Sequence, residues 1–320
     1  MSEPEWSLIG CLGTEERSLA VWEELSKTGK LATHKLLRII DAPSAGRSVS
    51  PFTAERNQRL TERQDEFHQK GGDAAVIEKH TLLESHAEIV DSVKSFLAAA
   101  SPNIVLDVSS LPKRFFFPAL KLILLENEVE NLVVTYTFPN SYPRVPLALN
   151  HNDWAHLPLF SGDYSTSPPQ MMIAAVGFEA LGLPEQVEHG AGLPIRLLLP
   201  FPAQPASFHR SWDLVRKLQS HRSAENIRVS RVDSTSVSDC FDSLLTLSNR
   251  GQIPVDLAPF GPKPSSVAMC LFAIATGSPV FYTQPTAYHP DYSLGISTTA
   301  GIPNIFAYCL RVEGRDLYSL

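Results

Sequence analysis

The chain has 320 residues, of which 43% are hydrophobic, 19% charged and 9% aromatic, a balance that excludes a disordered chain and leaves room for one large or two ordinary domains. A formal net charge of −7 and a pI near 5.8 exclude a general nucleic-acid binder, although a local basic site can still hold one phosphate-bearing ligand. The four cysteines, Cys11, Cys240, Cys270 and Cys309, are scattered, without CxxC or histidine at ligand spacing, which excludes a disulfide framework and leaves no metal site to expect.

Taken in order, apolar periodicity predicts short strands alternating with helices. Met1 to Trp6 lacks the basic and apolar regions of a signal peptide, and no apolar run reaches the roughly 18 residues of a membrane helix, so a cytoplasmic protein without membrane contact is expected. Trp6 to Leu12 reads as a strand closed by Gly13, and Glu15 to Ser26 as a helix with Leu19, Trp22 and Leu25 on one face. A strand over Leu36 to Ile40, a polar helix over Thr53 to Lys70 and a strand over Ala74 to Ile77 follow. Glu84 to Ala100 is then a helix, Asn103 to Asp107 a buried strand, Pro118 to Leu125 part of an apolar helix, and Leu132 to Thr137 another strand.

The second half repeats the order. Strands are predicted over Met171 to Val176, Ile195 to Leu199, Ile227 to Val232, Ile253 to Asp256 and Val280 to Thr283. Helices are predicted over Phe208 to Leu218, Ser236 to Leu247 and Ser265 to Ala275, and Ile305 to Val312 is an extra strand. Such alternation implies βαβ units and a mainly parallel sheet with helices on both faces. Matched identities strengthen the repeat: Tyr136-Thr137-Phe138-Pro139 and Tyr142 recur as Tyr282-Thr283-Gln284-Pro285 and Tyr288. Asp107 opens a loop ending in Leu111-Pro112-Lys113, and Asp256 opens one ending in Gly261-Pro262-Lys263. The expected architecture is α/β: two tandem Rossmann-like domains arranged as a pseudo-dimer, over residues 1–149 and 171–320, joined by a connector over 150–170.

In open α/β sheets ligands bind beyond the carboxyl ends of the strands, where the N–H groups of helix N-termini attract anions. The loop from Asp107 to Arg114 lies there, offering Asp107, Ser109, Ser110, Lys113 and Arg114. Either these residues meet a ligand, or Ser109 or Ser110 caps the helix while Asp107 closes the turn. Lys113 and Arg114 at a helix start oppose the macrodipole, and a nearby anion, ligand or carboxylate, would resolve that conflict. The second loop keeps Asp256 and Lys263, replaces the serines with Ala258 and Pro259, and supplies Gly261 for close backbone approach. On the same edge, Glu16 or Arg17 can line the crevice, and Tyr142 and Tyr288 can stack on a base or pack a Pro-rich turn. His289 stands beside the second of these tyrosines. Neither loop is GxxxxGK[ST], no GxGxxG follows a first strand and there is no GxSxG elbow, so P-loop, dinucleotide and serine-hydrolase chemistry have no support and no cofactor is expected.

The strand–DxSxxxK–helix arrangement resembles the ligand-sensing CARF (CRISPR-associated Rossmann fold) domains. The resemblance implies that Asp107, Ser109 and Lys113, with Asp256 and Lys263 in the second copy, contact a cyclic oligoadenylate across a two-fold junction. Ser110-Leu111-Pro112 stands where the family has glycines, and no nuclease, protease or helix-turn-helix segment is expected within these 320 residues. Three roles stay open: a sensor of a nucleotide-like anion in prokaryotic antiviral defence that acts through a separate effector protein; an enzyme, ring-nuclease-like or hydrolytic, that processes a nucleotide or nucleoside; and a scaffold subunit.

Overall fold

The structure, a computed structural model, describes residues 4–42, 50–151, 153–162, 168–178, 183, 192–202, 205–221 and 226–320. Glu179 to Leu181 of the second strand-to-helix turn, Asn152 and Asp163 of the connector, and His189 lie outside the described residues.

In the first half β1 (Trp6–Cys11), α1 (Ala20–Lys27), β2 (Leu31–Ile40), α2 (Thr53–Gln69), β3 (Ile77–Thr81), α3 (His86–Leu97), β4 (Asn103–Asp107), α4 (Lys113–Leu125) and β5 (Asn131–Thr137) follow one another. Three short strands come next: β6 (Pro139–Ser141), β7 (Ala148–His151) and β8 (Ala155–His156). The second half gives β9 (Met171–Ala175), β10 (Ile195–Phe201), α5 (Pro205–His221), β11 (Ile227–Asp233), α6 (Val237–Leu247), β12 (Val255–Pro259), α7 (Lys263–Thr276), β13 (Phe281–Tyr282) and β14 (Pro285–Tyr288). The tail forms β15 (Leu294–Ile296), β16 (Thr298–Thr299), β17 (Ile302–Pro303), β18 (Ile305–Val312) and β19 (Arg315–Asp316).

The chain divides into two compact units, Met1–Asn150 with Pro285–Leu317, and His151–Gln284 with Tyr318–Leu320. The first holds a seven-stranded sheet in the order β19-β18-β5-β4-β1-β2-β3, with β1 to β5 parallel. All five residues of the central strand β4 are buried, as expected of a strand covered on both faces. Leu8, Leu12, Leu36 and Val105 from the sheet pack with Leu19, Trp22 and Phe67 from the elements on one face. The second unit holds a four-stranded parallel sheet, β11-β10-β9-β12, and Val280 adds a parallel bridge to Leu257 beyond β12. Its core joins Ile195, Leu197 and Leu199 of β10 to Val215 and Leu218 of α5. Reading outward from the first strand of each half, both sheets have one strand order: β3 and β11 at one edge, then β2 and β10, β1 and β9, β4 and β12.

Three expectations are corrected. The strand expected over Ala74 to Ile77 begins only at Ile77, because the Asp73 carboxylate accepts the Ala75 N–H at 2.9 Å and winds 74–76 into a 3-10 turn. β3 itself is an edge strand, where Glu78, Lys79 and His80 are tolerated, so its apolar signal is weak. The C-terminal strand does not extend the second repeat: β18 pairs antiparallel with β5, Ile305 opposite Thr137. Buried Arg311 fixes it there, donating to the carbonyls of Leu124, Glu126 and Val129 at the end of α4 while its Nε meets Asp316 at 2.6 Å. A cation among the free carbonyls of a helix C-terminus is favourable on both hydrogen-bonding and dipole grounds. Asp256 does not end its strand either: β12 runs on to Pro259, which puts Asp256 second in the strand rather than last.

Short strands after β5 and β13 pair reciprocally. β6 lies antiparallel to β15 and β7 lies beside β14. The antiparallel partner of β5 is β18, from the C-terminal tail, and that of β13 is β8, from the connector that follows the first half. In each case a strand near the end of one half of the chain meets a strand that follows the other half in sequence.

Candidate ligand-binding site

The first unit's site is built where β1, β4 and β5 end. Asp107, the last residue of β4, is 3% exposed. Its Oδ1 accepts the Ser109 N–H at 3.1 Å, the Ser109 hydroxyl at 2.5 Å and the Thr135 hydroxyl at 3.3 Å. Ser109 Oγ in turn accepts the Thr137 N–H at 2.8 Å, so the loop after β4 is laced to the end of β5. Asp107 and Ser109 thus close the turn, and neither caps the helix. Burial pushes the Asp107 carboxyl up to about 6, with the Ser109 hydrogen bonds and the Arg17 charge pulling the other way.

A stability consequence follows from the sign of that shift. The folded chain holds the Asp107 proton more tightly than the unfolded chain, so the contribution is full below 3.8 and is lost as pH rises through about 6. Above that pH the ionised, buried carboxyl costs about 3 kcal/mol. Asp107→Asn keeps an acceptor oxygen and removes the charge. It is expected to be about 1–3 kcal/mol more stable than the parent at pH 8 and to lose that advantage at pH 4. Urea denaturation at the two pH values checks this, and equal stability at pH 8 would contradict it.

Ser110 is half-buried and donates to the Cys11 carbonyl at 3.3 Å. Gly13 explains how the loops after β1 and β4 come this close: a Cβ there would lie 3.0 Å from Ser110 Oγ. Lys113 is the first residue of α4 and is partly exposed, yet enclosed enough that desolvation draws its ammonium down to about 7. Arg114 donates through Nε and Nη2 to the Glu84 carbonyl at 3.2 and 2.7 Å, so it ties α4 to the approach of α3. That carbonyl accepts both Arg114 hydrogen bonds, and the Glu84 charge favours the guanidinium against the burial that draws its pKa down, while Lys113 stands at the first position of the helix.

Arg17 and Glu16 part company. Glu16 is exposed, whereas Arg17 is 3% exposed and pairs with Glu15, whose Oε2 lies 3.0 Å from Nε and 2.8 Å from Nη2. Arg17 Nη1 donates to the Thr137 carbonyl at 3.0 Å, and its guanidinium lies 5.3 Å from the centre of the Tyr136 ring. Burial is the largest influence and works against the charge, but Glu15, Tyr136 and Tyr142 together outweigh it and hold the Arg17 pKa above its ordinary value. Tyr142 sets its hydroxyl 3.3 Å from that of Tyr136, and burial raises its pKa. Glu15 and Ser293 are the residues that sequence reasoning passed over: the Ser293 hydroxyl donates to Glu15 Oε2. Glu15 carried a signal, two residues before an arginine at a strand exit, but Ser293 lies 278 residues away in sequence.

The second unit's loop is built differently. Two residues after β9 comes Gly177, as Gly13 comes two after β1; matching these ends puts Ala258, which pairs with Ala174, in the place Asp107 holds beside Gly10. Asp256 is buried two residues deeper in the strand. Gly261 is needed because a Cβ would fall 2.8 Å from that of Ala175, and Gly177 because one would fall 2.1 Å from the Phe260 carbonyl oxygen. Loop packing accounts for both glycines. Phe260 is buried under Trp154, with centroids 5.9 Å apart, and Trp154 also stacks on Phe281 at 5.5 Å. Lys263 begins α7 as Lys113 begins α4. Tyr288 meets Tyr292 edge-on at 5.6 Å in the first unit, and His289 accepts the Asp291 N–H on Nδ1 with its ring against Phe52. Among the described residues no group of three His, Cys, Asp or Glu side chains could hold a metal, and no helix is long and apolar enough to cross a membrane.

Fold and loops together define a mixed α/β protein with a large, mainly parallel sheet flanked by helices, its polar loops gathered at the carboxyl edge. No family model and no curated protein matches the sequence. By fold the chain is similar to the solved structure of a Type III CRISPR defence DNA nuclease activated by cyclic oligoadenylate, with a TM-score of 0.51 and 10% identity over 87% of this chain and 65% of that one. The chain therefore spans less than two thirds of the nuclease's length. It was also matched to the crystal structure of RipA from Yersinia pestis, at 11% identity over 87% of this chain and 76% of that one, but a TM-score of 0.21 carries no argument. The resemblance to CARF-type domains drawn from the Asp107–Lys113 loop stands at the level of fold.

Proposed function

We propose that this chain senses a nucleotide-like anion, of the cyclic oligoadenylate class, and passes the signal to a separate effector protein in a defence system. The reading combines the fold shared with a cyclic-oligoadenylate-activated nuclease with one observation on this chain. Lys113 stands at the start of α4 with its charge disfavoured both by desolvation and by the helix dipole, and a phosphate at the helix N-terminus would relieve both. Lys263 holds the same position on α7, and the second half is read as a tandem copy of the first that carries its own version of the loop. Phe260 and Trp154 make the second loop apolar, so the first carries the larger share of anion recognition.

Titration calorimetry with linear and cyclic oligoadenylates and mononucleotides tests this. One member of the panel is expected to bind, about 10-fold to 100-fold more weakly to Lys113→Ala and less severely weakened in Lys263→Ala. Failure of every member to bind, or binding indifferent to Lys113, overturns the reading. Turnover of the ligand is a second reading, favoured by two groups, Asp107 near 6 and Lys113 near 7, that titrate close to neutrality on one loop. Product formation in the same samples, lost in Asp107→Asn, would establish it.

A further inference from the structure

The segment 285–296 of the first unit is held at the carboxyl edge by contacts from several elements. Thr14, after β1, donates its hydroxyl to the Pro290 carbonyl at 2.8 Å. Arg59 of α2 meets Asp291 at 3.2 Å, and Phe52, just before α2, packs on His289 with centroids 4.6 Å apart. Ser293 bonds the Glu15 carboxylate, and Leu294 and Ile296 pair with Ser141 and Pro139 of β6.

One of these attachments leads straight into the candidate ligand loop. From Ser293 the path runs to Glu15, from Glu15 to Arg17, and from Arg17 Nη1 to the Thr137 carbonyl. The N–H of the same Thr137 donates to Ser109 Oγ, which donates to Asp107. Every residue on this path is buried, Ser109 and Thr137 completely, so water does not compete for these groups as it would at the surface. Each contact is a directional hydrogen bond. Displacing Ser109 pulls on the Thr137 N–H, and the N–H and the carbonyl of that one residue are gripped by different partners.

We propose that residues 285–296 form a strap whose seating is set by the loop after β4, so that a ligand that shifts this loop is read out in the strap. The strap follows β13 in sequence and leads through residues 297–304 to β18, so its displacement is carried along the chain in both directions. Glu15 and Arg17 are positioning residues in this device: they couple loop to strap. Its regulatory sense rests on the ligand reading above, but the coupling does not, and it can be measured with no ligand present.

Hydrogen–deuterium exchange on the full chain, resolved to single amides, is the test. Ser293→Ala is expected to speed exchange of the Ser109 and Thr137 amides by about tenfold, although neither residue touches Ser293. Ser109→Ala is expected to speed exchange across 289–296 by a similar factor while α5 to α7 keep the parent's rates. Thr14→Val, which frees only the Pro290 carbonyl, should loosen the strap and leave the Ser109 and Thr137 amides unchanged. Should Ser109→Ala unfold the first unit, Ser293→Ala decides alone. Parental exchange at Ser109 and Thr137 in Ser293→Ala overturns the strap. A cyclic oligoadenylate that binds the parent yet leaves 289–296 unaltered overturns the strap while the ligand reading stands.

Discussion

Arg17→Met is expected to destabilise the first unit by about 3–5 kcal/mol, the loss measured by urea denaturation at pH 7. Methionine fills much of the same volume, so packing changes little. The charge is the issue: Glu15 is 8% exposed, and without Arg17 its carboxylate keeps only the Ser293 hydroxyl among the charged or hydroxyl partners described above. Leaving one ion buried without its partner is far costlier than removing both. The double variant Glu15→Leu/Arg17→Met is therefore expected to recover most of the loss, although the Thr137 carbonyl stays without its Arg17 donor. Because the chain divides into two compact units, the measurement should follow a probe in the first, since one global transition is not assured. A loss below about 1 kcal/mol for the single variant would show that the pair is a solvated surface contact rather than a buried one.

That pair also marks where the sequence stopped being legible. Strands such as NIVLD in β4 announce themselves because a strand covered on both faces must be apolar throughout. The matching strand order of the two halves was legible for a related reason, the same alternation of strands and helices in each, and Gly177 is forced by a contact with the Phe260 carbonyl where Gly13 only eases a tight approach to Ser110. What periodicity cannot carry is the destination of a segment that leaves its own half of the chain. Ile305 to Val312 reads as a strand in sequence, but nothing local says that its partner is β5, 168 residues back from Ile305 to Thr137. The choice is made by Arg311, which needs the carbonyls at the end of α4. Asp256 misled in the opposite way. Its identity and its distance from Pro262-Lys263 suggested Asp107, whereas strand register assigns that place to Ala258. Identity of a polar residue is a weak guide when two residues of register move it from the loop edge into the sheet on the same face. At the site itself, Ser109 and Asp107 were legible as loop formers and Lys113 as the cation facing the helix dipole. Glu15 and Ser293 were not, since their contact is made only by the finished fold.

The free energy withheld from Lys113 should appear in the pH dependence of ligand binding. In the free protein desolvation holds its ammonium at about 7, so above that pH most molecules present a neutral amine. A bound phosphodiester restores the charged form, and each binding event above pH 7 then takes up a proton. Affinity should consequently fall by close to tenfold per pH unit, about 50-fold between pH 7 and pH 9 at constant ionic strength. Asp107 is already mostly ionised across that window, because its own value is about 6, so it adds little to the slope. A ligand whose phosphates are all diesters keeps a constant charge there and leaves the slope to the protein. Calorimetry with Lys113→Arg provides the control: a guanidinium stays charged throughout, so its binding should be nearly flat from pH 7 to pH 9 even if the fork fits less well. Lys113→Met should bind weakly at both values. A parent as flat as the arginine variant would mean that Lys113 is fully charged before the ligand arrives, and the case for an anion held at the start of α4 would lose its physical basis.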